Sequence, residues 1–308
     1  MLQKAQFLDY LGLILLSAIW GSSFLFIKLS VETIHPSFLT FSRLLIASLF
    51  LLIYLKFFKK IKLFPIKLSK ELLIISILGN VIPFNLISWS ETNIDSVVVA
   101  TLIGTMPLFT FIIAHFFFDG EKLNNKIISG LIIGFTGMLF LVYFEDSNKK
   151  DHQTFSNLSN LLVILASICY AYSANCVKKI KGMNSLQIAT SSTLIATVVS
   201  LPICFLLMDF SRVVKDYHIF DISLSSFFSC FMLGAICTSL AIVIFFSLIH
   251  RQSAGFASQS NFLIPCFGVF WSYLFLSESL GMSLLISLIL IILGLCFVHF
   301  GRKKNEVI

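Results

Sequence analysis

Long apolar stretches separated by short bursts of charge set the pattern of this chain. Runs free of Asp, Glu, Lys and Arg occupy residues 10–27, 72–90, 96–118, 127–144, 152–177, 182–208, 222–250, 252–277 and 279–301. A tenth run, residues 38–57, is interrupted only by Arg43 near its start and Lys56 near its end. About 20 mainly apolar residues cross ~30 Å of hydrocarbon as a helix, so the pattern predicts an all-α integral membrane protein of ten transmembrane helices. The ~10-residue alternating strands of a membrane barrel have no counterpart here.

Composition excludes the soluble alternative. Hydrophobic residues make up 57% of the 308 positions, charged residues 12%, and the mean hydropathy is +0.96; a soluble domain carries about 25% charged residues. The net charge of +7 would suggest nucleic acid if the lysines formed a patch, but they fall in the loops between apolar runs. With the N-terminus in the cytoplasm, sixteen of the 22 Lys and Arg lie on the inner side and six on the outer, which the positive-inside rule favours. The charge is thus expected to set topology and meet anionic lipid, with both termini cytoplasmic and no nucleic-acid partner. Seven cysteines sit inside apolar runs with no CxxC or Cys/His spacing, so neither a disulfide framework nor a metal site is expected. The first run continues apolar past Trp20-Gly21-Ser22-Ser23-Phe24 to Lys28 without an A-x-A site, and reads as a retained helix.

The two halves resemble each other. Thr105-Met106-Pro107 through Asp119-Gly120-Glu121-Lys122-Leu123 matches Leu263-Ile264-Pro265 through Leu276-Ser277-Glu278-Ser279-Leu280, and Gly137 and Gly294 follow at the same offset. Trp20-Gly21-Ser22 with Lys28 aligns more weakly with Tyr170-Ala171-Tyr172 and Lys178. The expected organisation is therefore two five-helix units, residues 1–150 and 151–308. Five is odd, so the second unit enters the bilayer from the opposite face. Such inverted repeats mark many secondary transporters, with the substrate held near the midplane where the repeats meet.

Ala18-Ile19-Trp20-Gly21-Ser22-Ser23-Phe24 with Lys28, the Phe41-Ser42-Arg43-Leu44-Leu45-Ile46-Ala47 opening of the second helix, and both Pro…Glu segments resemble the EamA branch of the drug/metabolite transporter superfamily. The resemblance covers almost the whole chain. It implies a ten-helix carrier of the bacterial inner membrane that works by alternating access. Its implied substrates are amino acids, other metabolites or toxic compounds, often exported, with no cofactor. The chain departs from the pattern at Ser277-Glu278, where Gly-Glu is usual, and at Tyr170-Ala171, which replaces Trp-Gly.

Pro107 and Pro265 lie centrally in their runs and are candidate hinges; each frees a carbonyl four residues earlier, at Ile103 and Asn261, which at membrane depth is buried in protein or lines a wet cavity. A packing kink shared by both units is the plainer alternative. The third run is the most polar at its middle. Asn80, Phe84 and Ser88 share one helix face, with Asn85 and Trp89 on a neighbouring one; amides in hydrocarbon point inward, to bond another helix or a substrate. Trp20, Ser23 and Phe24 correspond to Tyr170 and Ser173 in the second unit, and Thr101 and Thr105 before Pro107 correspond to Gln259 and Asn261 before Pro265. Arg43 is the one charge clearly within a span; facing a cleft it would attract a carboxylate, and otherwise it snorkels to the interface. The candidate substrate-binding set is thus Trp20, Ser23, Arg43, Asn80, Asn85, Trp89, Thr105, Tyr170, Gln259 and Asn261. No Asp or Glu lies near the middle of a span, so facilitated diffusion or exchange is expected, with Glu91, Asp95 or His115 the places for any proton coupling.

Gly130, Gly134 and Gly137 form a small-residue seam for packing within a monomer or for a dimer. An integral membrane enzyme would need a nucleophile/base pair or a metal motif, and neither HExxH nor Gly-x-Ser-x-Gly occurs. A channel would need charge rings or filter loops. The sequence therefore predicts a carrier for a small zwitterionic or anionic solute, with helices 1, 3, 4, 6, 8 and 9 enclosing the cavity and helices 5 and 10 peripheral. Uptake of the same kind of solute is the alternative to export.

Overall fold

The structure, a computed structural model, describes residues 2–58, 69–118, 121–146, 157–208, 222–276 and 282–305. Glu278, the 150/151 unit boundary and the lysines at 59–67 lie outside these residues. The described elements are helical throughout: α1 Leu2–Val31, α2 Pro36–Ile53, α3 Lys70–Ser76, α4 Ile82–Ser90, α5 Ser96–Ile103, α6 Met106–Phe117 and α7 Asn125–Asp146 come first. Then follow α8 Asn157–Val177, α9 Ser185–Leu207, α10 Leu224–Met232, α11 Ala241–Arg251, α12 Ala254–Ser258, α13 Ser260–Leu276 and α14 Met282–Asn305. π-Helical segments Ile77–Val81 and Leu233–Leu240 join α3 to α4 and α10 to α11.

Eight helical stretches among the described residues are long and apolar enough to cross a membrane, and Asn125–Phe140 forms a shorter apolar one. The ten predicted runs are not all met as single rods of full length. Residues 96–117 are interrupted at Gly104 and Thr105, and residues 254–276 at Gln259. The first break stands immediately before the helix turn that carries Pro107, where the missing N–H costs nothing. Pro265, by contrast, lies inside α13, several residues after its break.

Helix starts are written locally. Ser69, Ser223 and Ser253 accept the amides of Leu72, Ser226 and Phe256, and Asn184 with Gln187 closes a full capping box on α9, each satisfying donors that a helix start leaves open. Outward faces carry exposed apolar side chains such as Phe116, Phe117, Val198 and Leu206, the surface a bilayer requires and water disfavours.

α7 and α14 pack antiparallel as a tight pair. A methyl group built on Gly130 would come within 2.6 Å of the Gly294 carbonyl oxygen, one on Gly137 within 2.7 Å of Leu290 Cβ, and one on Gly294 within 2.6 Å of the Gly134 amide. The predicted glycine seam thus meets another helix of the same chain. Tyr10 of α1 and His299 of α14 share a 2.7 Å hydrogen bond, so the beginning of the first helix and the end of the last lie at one end of the bundle.

Candidate functional site

A partly enclosed cavity, with about 760 Å³ of empty space when its open mouth is included, lies among α1, α2, the π segments Ile77–Val81 and Leu233–Leu240, α4, α5, α6, α8, α11 and α13. No residue of α7, α9 or α14 lines it. Its wall is mostly apolar and aromatic, from Trp20, Phe24, Phe84, Tyr170, Phe245 and Phe246, with Arg43, Asn80, Thr238 and Asn261 as the main polar groups.

Arg43 enters from the side. Its residue is 5% exposed, its Nε donates to Thr238 Oγ1 at 2.6 Å, and its guanidinium lies 3.9 Å from the centroid of the Phe84 ring. Among the described residues no carboxylate stands within ion-pair distance of it; the two ion pairs there join Arg251 to Asp9 and Arg302 to Glu121. A buried cation without an anion is costly. The stacked ring and the threonine compensate part of that cost, and a carboxylate entering the cavity would supply the rest.

The π segments shape both sides of this pocket. One extra residue per turn loosens the backbone ladder, and such turns occur frequently at functional sites. In the first, Asn80 turns its amide nitrogen to the Ile75 carbonyl at 3.2 Å, while its Oδ1 is buried without a partner and the residue lines the cavity. In the second, the Cys237 carbonyl accepts Trp20 Nε1–H at 3.2 Å, and the Trp20 ring packs at 5.2 Å on Phe245. Each segment holds a glycine at a close approach: Gly79 against Ser173 of α8, and Gly234 against Ile46 and the Arg43 carbonyl of α2. Gly21 similarly admits Phe267 and the Ile264 carbonyl of α13.

Of the residues singled out from the sequence, Trp20, Ser23, Arg43, Asn80, Tyr170 and Asn261 line this cavity. So do Ile103 and Asn261, whose carbonyls stand four residues before the two prolines. Asn261 donates to the Ser258 carbonyl at 2.9 Å and to Met106 Sδ at 3.3 Å, tying the two interrupted helices together.

Asn85, Trp89, Thr105 and Gln259 are not on the cavity wall. Asn85 donates to its own helix at the Val81 carbonyl, 2.8 Å away, and Gln259 to Gly255 O at 3.2 Å. Thr105 donates to the Leu102 carbonyl at 2.6 Å and lies 2.9 Å from Ser167 Oγ. Trp89 is 41% exposed on the outer surface. Pro107 and Pro265 do not line the cavity, but each follows a lining residue, Met106 and Ile264. The lining residues that sequence reasoning missed include Cys237, Thr238, Ile242, Phe245 and Phe246, which sit in a long run without charge where the Thr238 hydroxyl was the signal available.

A family model described as the EamA-like transporter family matches this chain twice, over residues 8–143 and 157–300. The chain is 24% identical to the uncharacterised transporter YoaV of Bacillus subtilis, over 96% of this chain and 98% of that protein. It is 26% identical to the protein PagO of Salmonella typhimurium, over 83% and 81%. The uncharacterised inner membrane transporter YedA of Escherichia coli matches at 24% identity over 96% and 92%. A chain of known crystal structure superposes with a TM-score of 0.72 at 13% identity, covering 97% of this chain and 98% of its own.

Proposed function

The chain belongs to the EamA-like transporter family, a multi-pass membrane family of transporters, and from that premise we propose that it is an inner-membrane secondary transporter of small carboxylate-bearing solutes, amino acids or similar amphipathic metabolites, working by alternating access in the direction of export. The observation that carries this reading is Arg43, buried in an aromatic cavity with no carboxylate within ion-pair distance among the described residues. Aromatic walls accept an apolar side chain; the guanidinium orients a carboxylate at the other end.

Several features support a 5+5 inverted repeat. The family model matches once in each half. Each half carries one π segment that contributes to the cavity, containing Leu78-Gly79 in one and Leu233-Gly234 in the other. Each half also carries one interrupted helix beside the cavity, and broken helices at the repeat interface are where transporters hold substrate. Both ends of the helical bundle's chain meet at one face through Tyr10 and His299, as an even number of crossings requires; the positive-inside count makes that face cytoplasmic.

Counterflow in proteoliposomes tests the reading. Vesicles preloaded with a panel of amino acids and aromatic carboxylates are given the labelled solute outside. At least one carboxylate is expected to show accelerated entry, while the corresponding amines lacking the carboxylate do not. A panel in which amines exchange and carboxylates do not would overturn the assignment of Arg43.

A further inference from the structure

At the end of the bundle away from the termini, the turn between α4 and α5 holds a carboxylic acid in an unusual setting. Glu91 is 0% exposed. Its Oε2 accepts one hydrogen bond, from Ser96 Oγ at 3.1 Å, and its Oε1 has no partner. Lys28 of α1 reaches the same turn, but its ammonium donates to backbone carbonyls, Glu91 O at 2.8 Å and Ile94 O at 3.4 Å. The charged groups acting on Glu91 are Lys28 and Arg43. Asp95 lies four residues on, at the start of α5. From α8, Ser159 offers its carbonyl to Ser90, and residues 157–168 of that helix contain no Asp, Glu, His, Lys or Arg. A carboxylate with one hydrogen bond and no ion pair is poorly stabilised away from water. Burial accordingly raises Glu91 well above the ordinary carboxylate value, and the Ser96 hydroxyl, Lys28 and Arg43 lower it only in part.

The turn is mechanically tied to the cavity. Ser96 Oγ also reaches the Phe24 carbonyl at 3.4 Å, and Phe24 and Ile87, each about one turn from Lys28 or Glu91, line the pocket. Water reaches Glu91 only when α1 or α8 separates from α4 and α5.

We propose that Glu91 is a proton-binding site that links closure of this end of the bundle to proton uptake: the carboxylic acid holds one proton while the end is sealed and gives it to bulk water when the end opens. It extends the transporter reading by naming a coupling ion. The sign follows from linkage. The sealed state binds a proton at pH values where the open state does not, so acid favours sealing and rising pH favours opening.

The full-length protein in phosphatidylethanolamine/phosphatidylglycerol vesicles serves as the test, with the proton as its own probe, so no solute needs to be known. Infrared difference spectra between about pH 5 and about pH 9, a window above the ordinary carboxylate values and spanning raised ones, are expected to show a carboxylic acid C=O band that disappears on alkalinisation. The band is lost in Glu91→Gln and kept, shifted, in Glu91→Asp. Hydrogen exchange over residues 87–103, corrected for the intrinsic rate, rises with pH in the wild type by up to about tenfold per pH unit, the ceiling for one proton, and is flat in Glu91→Gln. Ser96→Ala, which removes the one bond favouring the anion, moves the transition to higher pH. A band that persists in Glu91→Gln, an unchanged exchange slope in that variant, or an unmoved midpoint in Ser96→Ala overturns the proposal. These readouts stand even if every solute in the counterflow panel fails.

Discussion

Arg43 illustrates how one residue can be costly to the fold and useful to the site. An arginine at the centre of a membrane helix costs ~2.5–3.5 kcal/mol on insertion scales, an upper bound for Arg43, which stands in the first half of its span. The Phe84 ring returns up to ~2 kcal/mol when desolvated, and the Thr238 bond ~1.5–3 kcal/mol as a charge-assisted contact. These terms nearly cancel, so Arg43→Met is expected to leave the melting temperature in detergent within a few degrees of wild type. The same substitution removes the carboxylate's partner, and with a charge-assisted bond worth ~1.5–3 kcal/mol its half-saturation concentration for a carboxylate solute rises about tenfold to a hundredfold. A large fall in stability without a change in half-saturation would make Arg43 a structural residue. Neighbouring amides separate the cavity from its surroundings. Asn261→Ala and Trp20→Ala, both on the wall, are expected to lower counterflow several-fold at normal membrane abundance. Asn85→Ala, whose amide bonds only its own helix, is expected to transport at the wild-type rate. Equal losses at all three positions would mean that the wall has been drawn in the wrong place.

Individual elements were legible to very different degrees. Apolar runs bounded by charge gave the helices nearly end to end, because crossing hydrocarbon imposes length and composition directly. Inward-pointing amides were only half legible: Asn80 and Asn261 face the cavity, whereas Asn85 and Gln259 satisfy themselves on carbonyls four residues back, an outlet local to the helix. On the cavity's other wall Ile242, Phe245 and Phe246 were invisible because an apolar side chain facing a cavity and one facing lipid look alike in sequence, while Thr238 carried a polar signal. Nor could the pattern announce the π turns, in which Gly79 and Gly234 meet side chains distant in the chain. The α7–α14 pair follows a simpler rule. Gly130→Ala or Gly294→Ala forces the backbones apart, an overpacking cost of ~1–3 kcal/mol, and is expected to lower the melting temperature clearly. Gly268→Ala, with nothing within 4 Å of the new methyl, is expected to be neutral. Thermal unfolding followed by tryptophan fluorescence compares the three, and equal shifts would deny the close approach any energetic weight.

Considered as a whole, the molecule ties its two halves together at both ends, and by different chemistry. Away from the termini the ties include Ser226, which donates to the Leu29 carbonyl at 2.6 Å, and Ser90, which donates to the Ser159 carbonyl at 3.3 Å. At the end bearing the termini they are ionic. Glu121 pairs with Arg302 and accepts the Gly255 amide at 3.1 Å. Arg302 continues to Gln252 at 3.4 Å, Gln252 to Asp9 at 2.7 Å, and Asp9 to Arg251 at 2.8 Å. This chain joins residues of the first half to residues of the second, so that end cannot open while it holds. Removing one member of a buried pair costs up to ~3–5 kcal/mol because the other is left uncompensated; here Arg302 is buried and Glu121 partly exposed, and a smaller loss is expected. Glu121→Gln and Arg302→Gln should each lower the melting temperature, and the double variant by less than their sum, with a coupling of ~0.5–3 kcal/mol. Stability alone cannot separate a latch from a simple strut, but the far end can. If the two ends alternate, weakening this one shifts the population toward a state open here and sealed there. Hydrogen exchange in Glu121→Gln should then rise over residues 252–259 and fall over residues 91–99, at the opposite end of the bundle from the Glu121–Arg302 pair. If exchange rises at both ends together, the substitution has merely loosened the bundle, and the ionic chain is structural reinforcement with no part in a transport cycle.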